Sequence, residues 1–355
     1  MDTLSQISLG AAVGVAVMGR RTAVWKAALW GGLVGTLPDT DVLIDYGDPI
    51  LNMVRHRAES HALLYLTLLA PLIAWGVAKI NGDMLIWRRW LLALWLVLFT
   101  HPLLDVMTVY GTQLLIPFTN QPYGVGSIFI IDPLYTLPLL IGVLAAVFLK
   151  SARGLRWNQF GLAFSTAYLA WGVGVQSVMF NTAENSLQAE NIQAQQILVT
   201  PTAFNSILWR FVAMTPDKYY EGFSSLLDDE KKIVWRAYPL CDALIKANLN
   251  NRNVKAIADF SRGFYSLTQQ NDRLVVTDLR MGQQPYYFFS FDVGGQLNLD
   301  SAVSNNVGQR PNLETALPWL WARLGGLNLP LPSAVQPNLP VEAQRVALCG
   351  GTPTQ

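Results

Sequence analysis

Histidine is nearly absent from this sequence. Three occur in 355 residues, His56, His61 and His101, and all lie in one stretch that opens at Pro38 and closes at Asp105. Cysteine is scarcer still. Cys241 and Cys349 stand far apart and form no CxxC, which excludes a cysteine-based zinc or redox motif. Charge is thin: 14% of residues are Asp, Glu, Lys or Arg, against about 25% in an average soluble domain. The net charge is +1, and no basic stripe is interleaved with aromatics, so nucleic-acid binding is excluded. There is no GxSxG, P-loop or HExxH, which removes three large classes of hydrolase from consideration.

What the chain has is apolar sequence, 52% of the total, unevenly spread. Runs at 3–19, 27–38, 62–78, 90–104, 133–149 and 157–183 are nearly free of charge, whereas residues 185–355 look like ordinary globular sequence. The first run lacks the basic start of a signal peptide and follows Asp2, so it reads as a retained short helix. About 20 apolar residues cross a bilayer and about 17 suffice, which makes the charge-free 157–183 the most secure span. Arg20, Arg21 and Lys26, then Lys79, Arg88 and Arg89, then Lys150, Arg153 and Arg156 each join two consecutive runs. The positive-inside rule places all three clusters in the cytoplasm. Six segments with both termini outside follow, and every motif residue falls on the outer face. Arg55 and Arg57 break the rule, beside two histidines.

The expected fold class is therefore an all-α polytopic membrane domain of about six short helices, residues 1–184, followed by a small α+β soluble domain, 185–328, and a Pro-rich tail, 329–355. Strand-like runs are 195–200, 207–214, 232–238, 273–278 and 286–291. Helices are expected at 253–261 and at 313–324, the latter interrupted by Pro318. Gly10, Gly14 and Gly19 read as helix-packing positions. If the soluble domain is periplasmic, Cys241 and Cys349 can pair in that oxidising compartment.

The candidate chemistry lies in Pro38-Asp39-Thr40-Asp41, in His56-Arg57-Ala58-Glu59-Ser60-His61 and in His101-Pro102-Leu103-Leu104-Asp105. His101 and Asp105, four apart, share one face of a helix and can serve one metal. His56 in a loop, Ser60 as N-cap and His61 in the first turn would let both imidazoles converge. Taken singly, each has an ordinary explanation: a His–Asp hydrogen bond, two surface histidines, a Pro-Asp-x-Asp turn. Together, Asp39, Asp41, His56, His61, His101 and Asp105 form a mixed oxygen and nitrogen set suited to zinc, manganese or iron. Six ligands can hold two ions, and two ions about 3.5–4 Å apart clamp a phosphoryl oxygen and activate water. Arg57 is placed to pair with a phosphate. Glu59 is a candidate general base or a partner of a histidine.

These motifs resemble those of the YdjM-like family of bacterial inner-membrane metal-dependent hydrolases. The resemblance is carried by Leu37-Pro38-Asp39-Thr40-Asp41, by His56-Arg57 with Ser60-His61, and by His101 to Asp105 continuing through Thr108, Tyr110, Gly111 and Thr112 into Leu114 to Phe118. It spans about residues 1–180, and some members share the 261–265 and 276–282 stretches. The family is distantly similar to zinc-dependent phospholipase C and P1-type nucleases. This implies phosphoester hydrolysis and a zinc site of one or two ions built from the six residues named above. Many members carry a histidine near the N-terminus where this chain has Gln6.

The reading is a multi-pass inner-membrane hydrolase with a periplasmic C-terminal domain, acting on a phosphoester or other ester of a lipid or envelope molecule. The alternative is a non-enzymatic membrane protein with a structural metal and a periplasmic binding domain. A metal or proton transporter is disfavoured, because 62–78, 133–149 and 157–183 carry no ionisable acid or base through the membrane depth.

Overall fold

A computed structural model describes residues 1–149, 151–229, 232–270, 273–295, 304–329, 344 and 348–349. The chain divides into two units. The first comprises residues 1–44, 55–175 and 203–205; the second comprises 45–54, 176–202 and 206–355.

The first unit is helical. Helices α1 (Thr3–Met18) and α2 (Val24–Gly35) lead to a 3-10 turn, Pro38–Leu43. Farther along come a second 3-10 turn, Glu59–His61, then α4 (Leu63–Asn81) and α5 (Trp87–Val106); α3 (Pro49–Arg55), which precedes them in sequence, belongs up to Val54 to the second unit. Helix α6 (Pro133–Leu149) is followed by α7 (Ala152–Ala189), whose last part, from Gln176, belongs to the second unit.

Helices α1 and α2 meet backbone to backbone. A Cβ on Gly10 would lie 2.3 Å from the Gly31 carbonyl oxygen, and one on Gly31 would lie 2.3 Å from that of Gly10. Only glycine permits this approach. Gly14 packs likewise against Ala27, but Gly19 caps α1 at a positive φ of 58° and is no packing position. Polar side chains tie the other helices: Ser5 to Thr136 at 2.5 Å, Asn158 to the Ala12 carbonyl at 2.9 Å, and Trp95 to Thr67 at 3.1 Å.

Among the described residues, two helical stretches are long and apolar enough to cross a membrane, Leu63–Asn81 and Met84–Val106, while Thr3–Met18 and Pro133–Leu149 are shorter apolar helices. The helical first part is as expected, and two of its six expected spans reach full length. Helices α1, α2 and α6 have 16, 12 and 17 residues. The charge-free 157–183 run lies inside the 38-residue α7, where Asn158, Gln159 and Gln176 dilute its apolar character.

The second unit contains two four-stranded antiparallel sheets. One has the order β1 (Gln196–Pro201), β2 (Leu208–Met214), β3 (Lys218–Ser225), β4 (Arg236–Pro239). The other runs β10 (Asn305–Asn306), β9 (Ser290–Gly295), β6 (Arg273–Asp278), β5 (Tyr265–Gln270). A small hairpin, β7 (Gly282–Gln283) with β8 (Tyr286–Tyr287), and helices α8 (Asp242–Ala247), α9 (Arg252–Phe260) and α10 (Leu313–Leu324) complete it. Every residue of β2 is buried.

Buried arginines pair with carboxylates in this unit, as desolvated charges must. Arg210 donates to Glu221 at 2.6 Å and to the Leu279 carbonyl at 3.0 Å. Arg280 chelates Asp278, and Arg323 of α10 grips Asp228 and the Phe223 carbonyl. Asp48 caps α3, accepting from the Ile50 N–H at 2.8 Å, and also holds Ser304. Cys241 and Cys349 form a disulfide. Most of the Pro-rich 329–355 lies outside the described residues.

Candidate metal centre

The site is assembled where several chain ends meet. Pro38 starts the 3-10 turn that carries Asp39 and Asp41. The Glu59–His61 turn delivers His61 just before α4 begins, and His101 and Asp105 occupy the last turns of α5. Asp39, His61, His101 and Asp105 thus converge, with one ligand atom from each within 4.8 Å of all the others.

Five of the six donor separations match the edges of a tetrahedron around one ion, and the sixth, Asp39 to Asp105, lies within 4.8 Å. His61 Nε2 lies 3.1 Å from His101 Nε2, 3.4 Å from Asp39 Oδ1 and 3.1 Å from Asp105 Oδ2. His101 Nε2 lies 3.5 Å from the same Asp39 and Asp105 oxygens. Donors about 2.0–2.1 Å from a common centre stand about 3.3–3.4 Å apart in a tetrahedron. Asp105 Oδ2 is buried with no hydrogen-bond partner among the described residues, as a ligand awaiting a cation would be.

The outer atoms orient the imidazoles. His101 Nδ1 donates to the Gly35 carbonyl at 2.6 Å, one of the carbonyls a helix leaves unpaired at its C-terminus. His61 Nδ1 donates to Ser60 Oγ at 2.8 Å, and Ser60 donates in turn to Asp41 Oδ2 at 2.6 Å. Both rings therefore carry their proton on Nδ1 and turn the Nε2 lone pair to the cluster. Asp41 is held below the ordinary carboxylate range, with burial opposed by hydrogen bonds from His56 and Ser60.

Two expected ligands stand elsewhere. Asp41 stands outside the four-donor cluster as a hub: its oxygens accept from His56 Nδ1 at 2.8 Å, the Arg57 N–H at 2.9 Å and Ser60. His56 is thereby turned from the four-donor cluster, its ring centroid 6.1 Å from that of His61, with 25% of its side chain exposed. Arg57, at a left-handed φ of 64°, separates the two histidines, so they do not follow one turn. Ser60 serves the His61–Asp41 relay, while the α4 N-cap is Ala62.

Arg57 faces inward. It is buried, with Nε 3.4 Å from Asp105 Oδ2, an N–H directed to Thr108 at 3.3 Å and its guanidinium 4.9 Å above the Tyr110 ring. It balances Asp105 and does not project as a free phosphate clamp. Glu59 is exposed and lies outside the cluster. Gln6 reaches the site as a donor, its amide 3.1 Å from Asp105 Oδ1, which the Met1 amino group also contacts. Its own Oε1 is buried without a partner among the described residues. The Gly35 carbonyl has no side-chain signature that a sequence could reveal.

Residues 1–179 match the family described as YdjM inner membrane protein, a stretch that contains the whole site. The chain belongs to that family. It is also similar to the uncharacterised protein YfhP of Bacillus subtilis strain 168, 25% identical over 340 residues, covering 89% of this chain and 98% of the relative. The likeness therefore extends into the second unit of this YdjM-family chain. No solved structure matches it.

Proposed function

We propose that this YdjM-family protein is a membrane-embedded, metal-dependent hydrolase of a phosphoester or other ester in a lipid or envelope molecule. The observation that carries the reading is the pairing of a preorganised four-donor cluster with a separate Asp41–His56 dyad beside it. A structural metal has no need of an oriented, partly exposed imidazole nearby. Asp39, His61, His101 and Asp105 would hold a divalent ion, which would supply Lewis acidity toward a phosphoryl or carbonyl oxygen and toward water.

The chain's own residues supply the rest. Asp41 fixes the His56 ring through Nδ1, leaving Nε2 to take or return a proton. Asp39 is the most exposed of the four donors, at 20% of its side chain, and marks the accessible side. Arg57 offsets the charge of Asp105 within the buried cluster. The distant resemblance to zinc-dependent phospholipase C and P1-type nucleases favours a phosphoester. A location at the outer face of the inner membrane, with the second unit periplasmic, is supported by the basic loops remote in sequence from the site and by the Cys241–Cys349 disulfide.

A second reading is a structural metal in a binding protein, favoured by the fact that four protein donors can close a zinc tetrahedron. His56→Gln separates the two. Under the hydrolase reading the variant keeps the wild-type metal stoichiometry but hydrolyses lipid phosphoesters about 10²–10⁴-fold more slowly. Metal-loaded wild type that leaves extracted lipids and model phosphoesters unchanged would favour the structural reading.

A further inference from the structure

The first unit carries a cationic surface built by two loops, one between α1 and α2, the other between α4 and α5. Asp83 joins them. Its Oδ2 accepts from Thr22 Oγ1 at 2.9 Å and from the Trp90 indole N–H at 3.1 Å. The one acid of the two loops is thus turned into the protein, while Arg20, Arg21, Lys79, Arg88 and Arg89 remain exposed and Lys26 half-buried. Among the described residues, no ion pair engages any of these six cations.

The surroundings are apolar and aromatic. Lys79 lies 4.9 Å from the Trp75 ring and Lys26 lies 6.0 Å from that of Trp25, so aromatic faces flank the charges. The α4–α5 turn carries Leu85, fully exposed, and Ile80 near the end of α4 is 72% exposed. Uncompensated cations beside exposed Trp, Leu and Ile match an interface that is anionic at the surface and hydrocarbon just below it.

We propose that this surface binds the headgroups of anionic phospholipids, with Leu85, Ile80 and the tryptophans seated among the acyl chains. Topological charge bias alone would not require the acid to be withdrawn into hydrogen bonds with both neighbouring elements. The assignment is independent of the metal centre and of any hydrolytic activity.

Native mass spectrometry of the full-length, delipidated protein tests it, titrating phosphatidylglycerol or phosphatidylcholine of identical chains. The protein is expected to retain phosphatidylglycerol over phosphatidylcholine, with the preference falling as ionic strength rises. Combined Arg20→Ala, Arg21→Ala, Arg88→Ala and Arg89→Ala should abolish the preference, each cation contributing about a fivefold factor. The same four positions changed to Lys should keep it. Equal retention of the two lipids by wild type would overturn the proposal, whatever the alanine variant does. So would undiminished preference in a monodisperse alanine variant, or displacement of phosphatidylglycerol by equimolar inorganic phosphate, which would make the surface a simple anion site.

Discussion

The Nε2 atoms of His61 and His101 face each other at 3.1 Å, while each ring's Nδ1 is committed to a different acceptor, Ser60 Oγ and the Gly35 carbonyl. Two lone pairs so placed, with two carboxylate oxygens around them, repel unless a cation lies between. The purified protein is expected to hold one equivalent of zinc, manganese or iron by elemental mass spectrometry. His61→Ala with His101→Ala should hold none. Metal affinity should fall as the medium is acidified, because the imidazoles must be neutral to bind. Free metal at 100 times its Kd should add about 2.7 kcal/mol of stability that a chelator removes.

Ser60 passes the orientation of Asp41 to His61 without being a ligand. Ser60→Ala should therefore lower metal affinity about 10–100-fold while leaving the stoichiometry unchanged at saturating metal. Competition with a chromophoric chelator measures it. An affinity equal to wild type would remove Ser60 from the relay.

Asp48 gives the second unit an acid-sensitive tie. Partial burial pushes its carboxyl up, and donors from Ser304, Leu51 and Ile50 more than offset this, so its folded value lies below the ordinary carboxylate range. The sign follows: a depressed carboxylate stabilises the fold above its unfolded value near 3.8 and loses that contribution as pH falls through the folded value. Asp48→Ala should cost about 1 kcal/mol through the lost cap and flatten the acid limb of a tryptophan-fluorescence stability profile. An unchanged acid limb would count against the assignment.

Gly10 admits no side chain. A Cβ there meets the Gly31 carbonyl oxygen, which is backbone and cannot rotate away. Gly10→Val should destabilise by at least about 1–3 kcal/mol, the usual penalty of overpacking. Gly76, whose Cβ would meet nothing within 4 Å, should accept alanine without loss. Comparing thermal unfolding of the two variants in detergent checks both.

Much of the fold is legible where a local signal is clean. The 133–149 run is α6 from end to end, because Pro133 follows the capping Asp132 and the apolar run stops at Leu149. Arg273–Asp278 is β6 as read, and 313–324 is α10, although Pro318 does not interrupt it. Strand β3 is invisible because Glu221 occupies a core position, where Arg210 and the Gln284 N–H, both remote in local pattern, make its charge tolerable. At the site, six candidates are evident from residue type, but the division into four donors and an Asp41–His56 dyad depends on Arg57. Its left-handed backbone turns the chain between the two histidines, and arginine does not advertise that conformation as glycine would.

The segment 45–54 lies among the membrane helices in sequence yet folds with the second unit, held there by Asp48 and Ser304. The polypeptide thus leaves and re-enters each unit more than once. A single scission near residue 184 would yield neither unit whole: the C-terminal fragment would lack α3 and the Asp48 cap, and the N-terminal fragment would keep a stranded helix whose partner is gone. In this chain the boundary between the units is therefore not one point in the sequence, and a cut at the apparent linker separates segments that fold together.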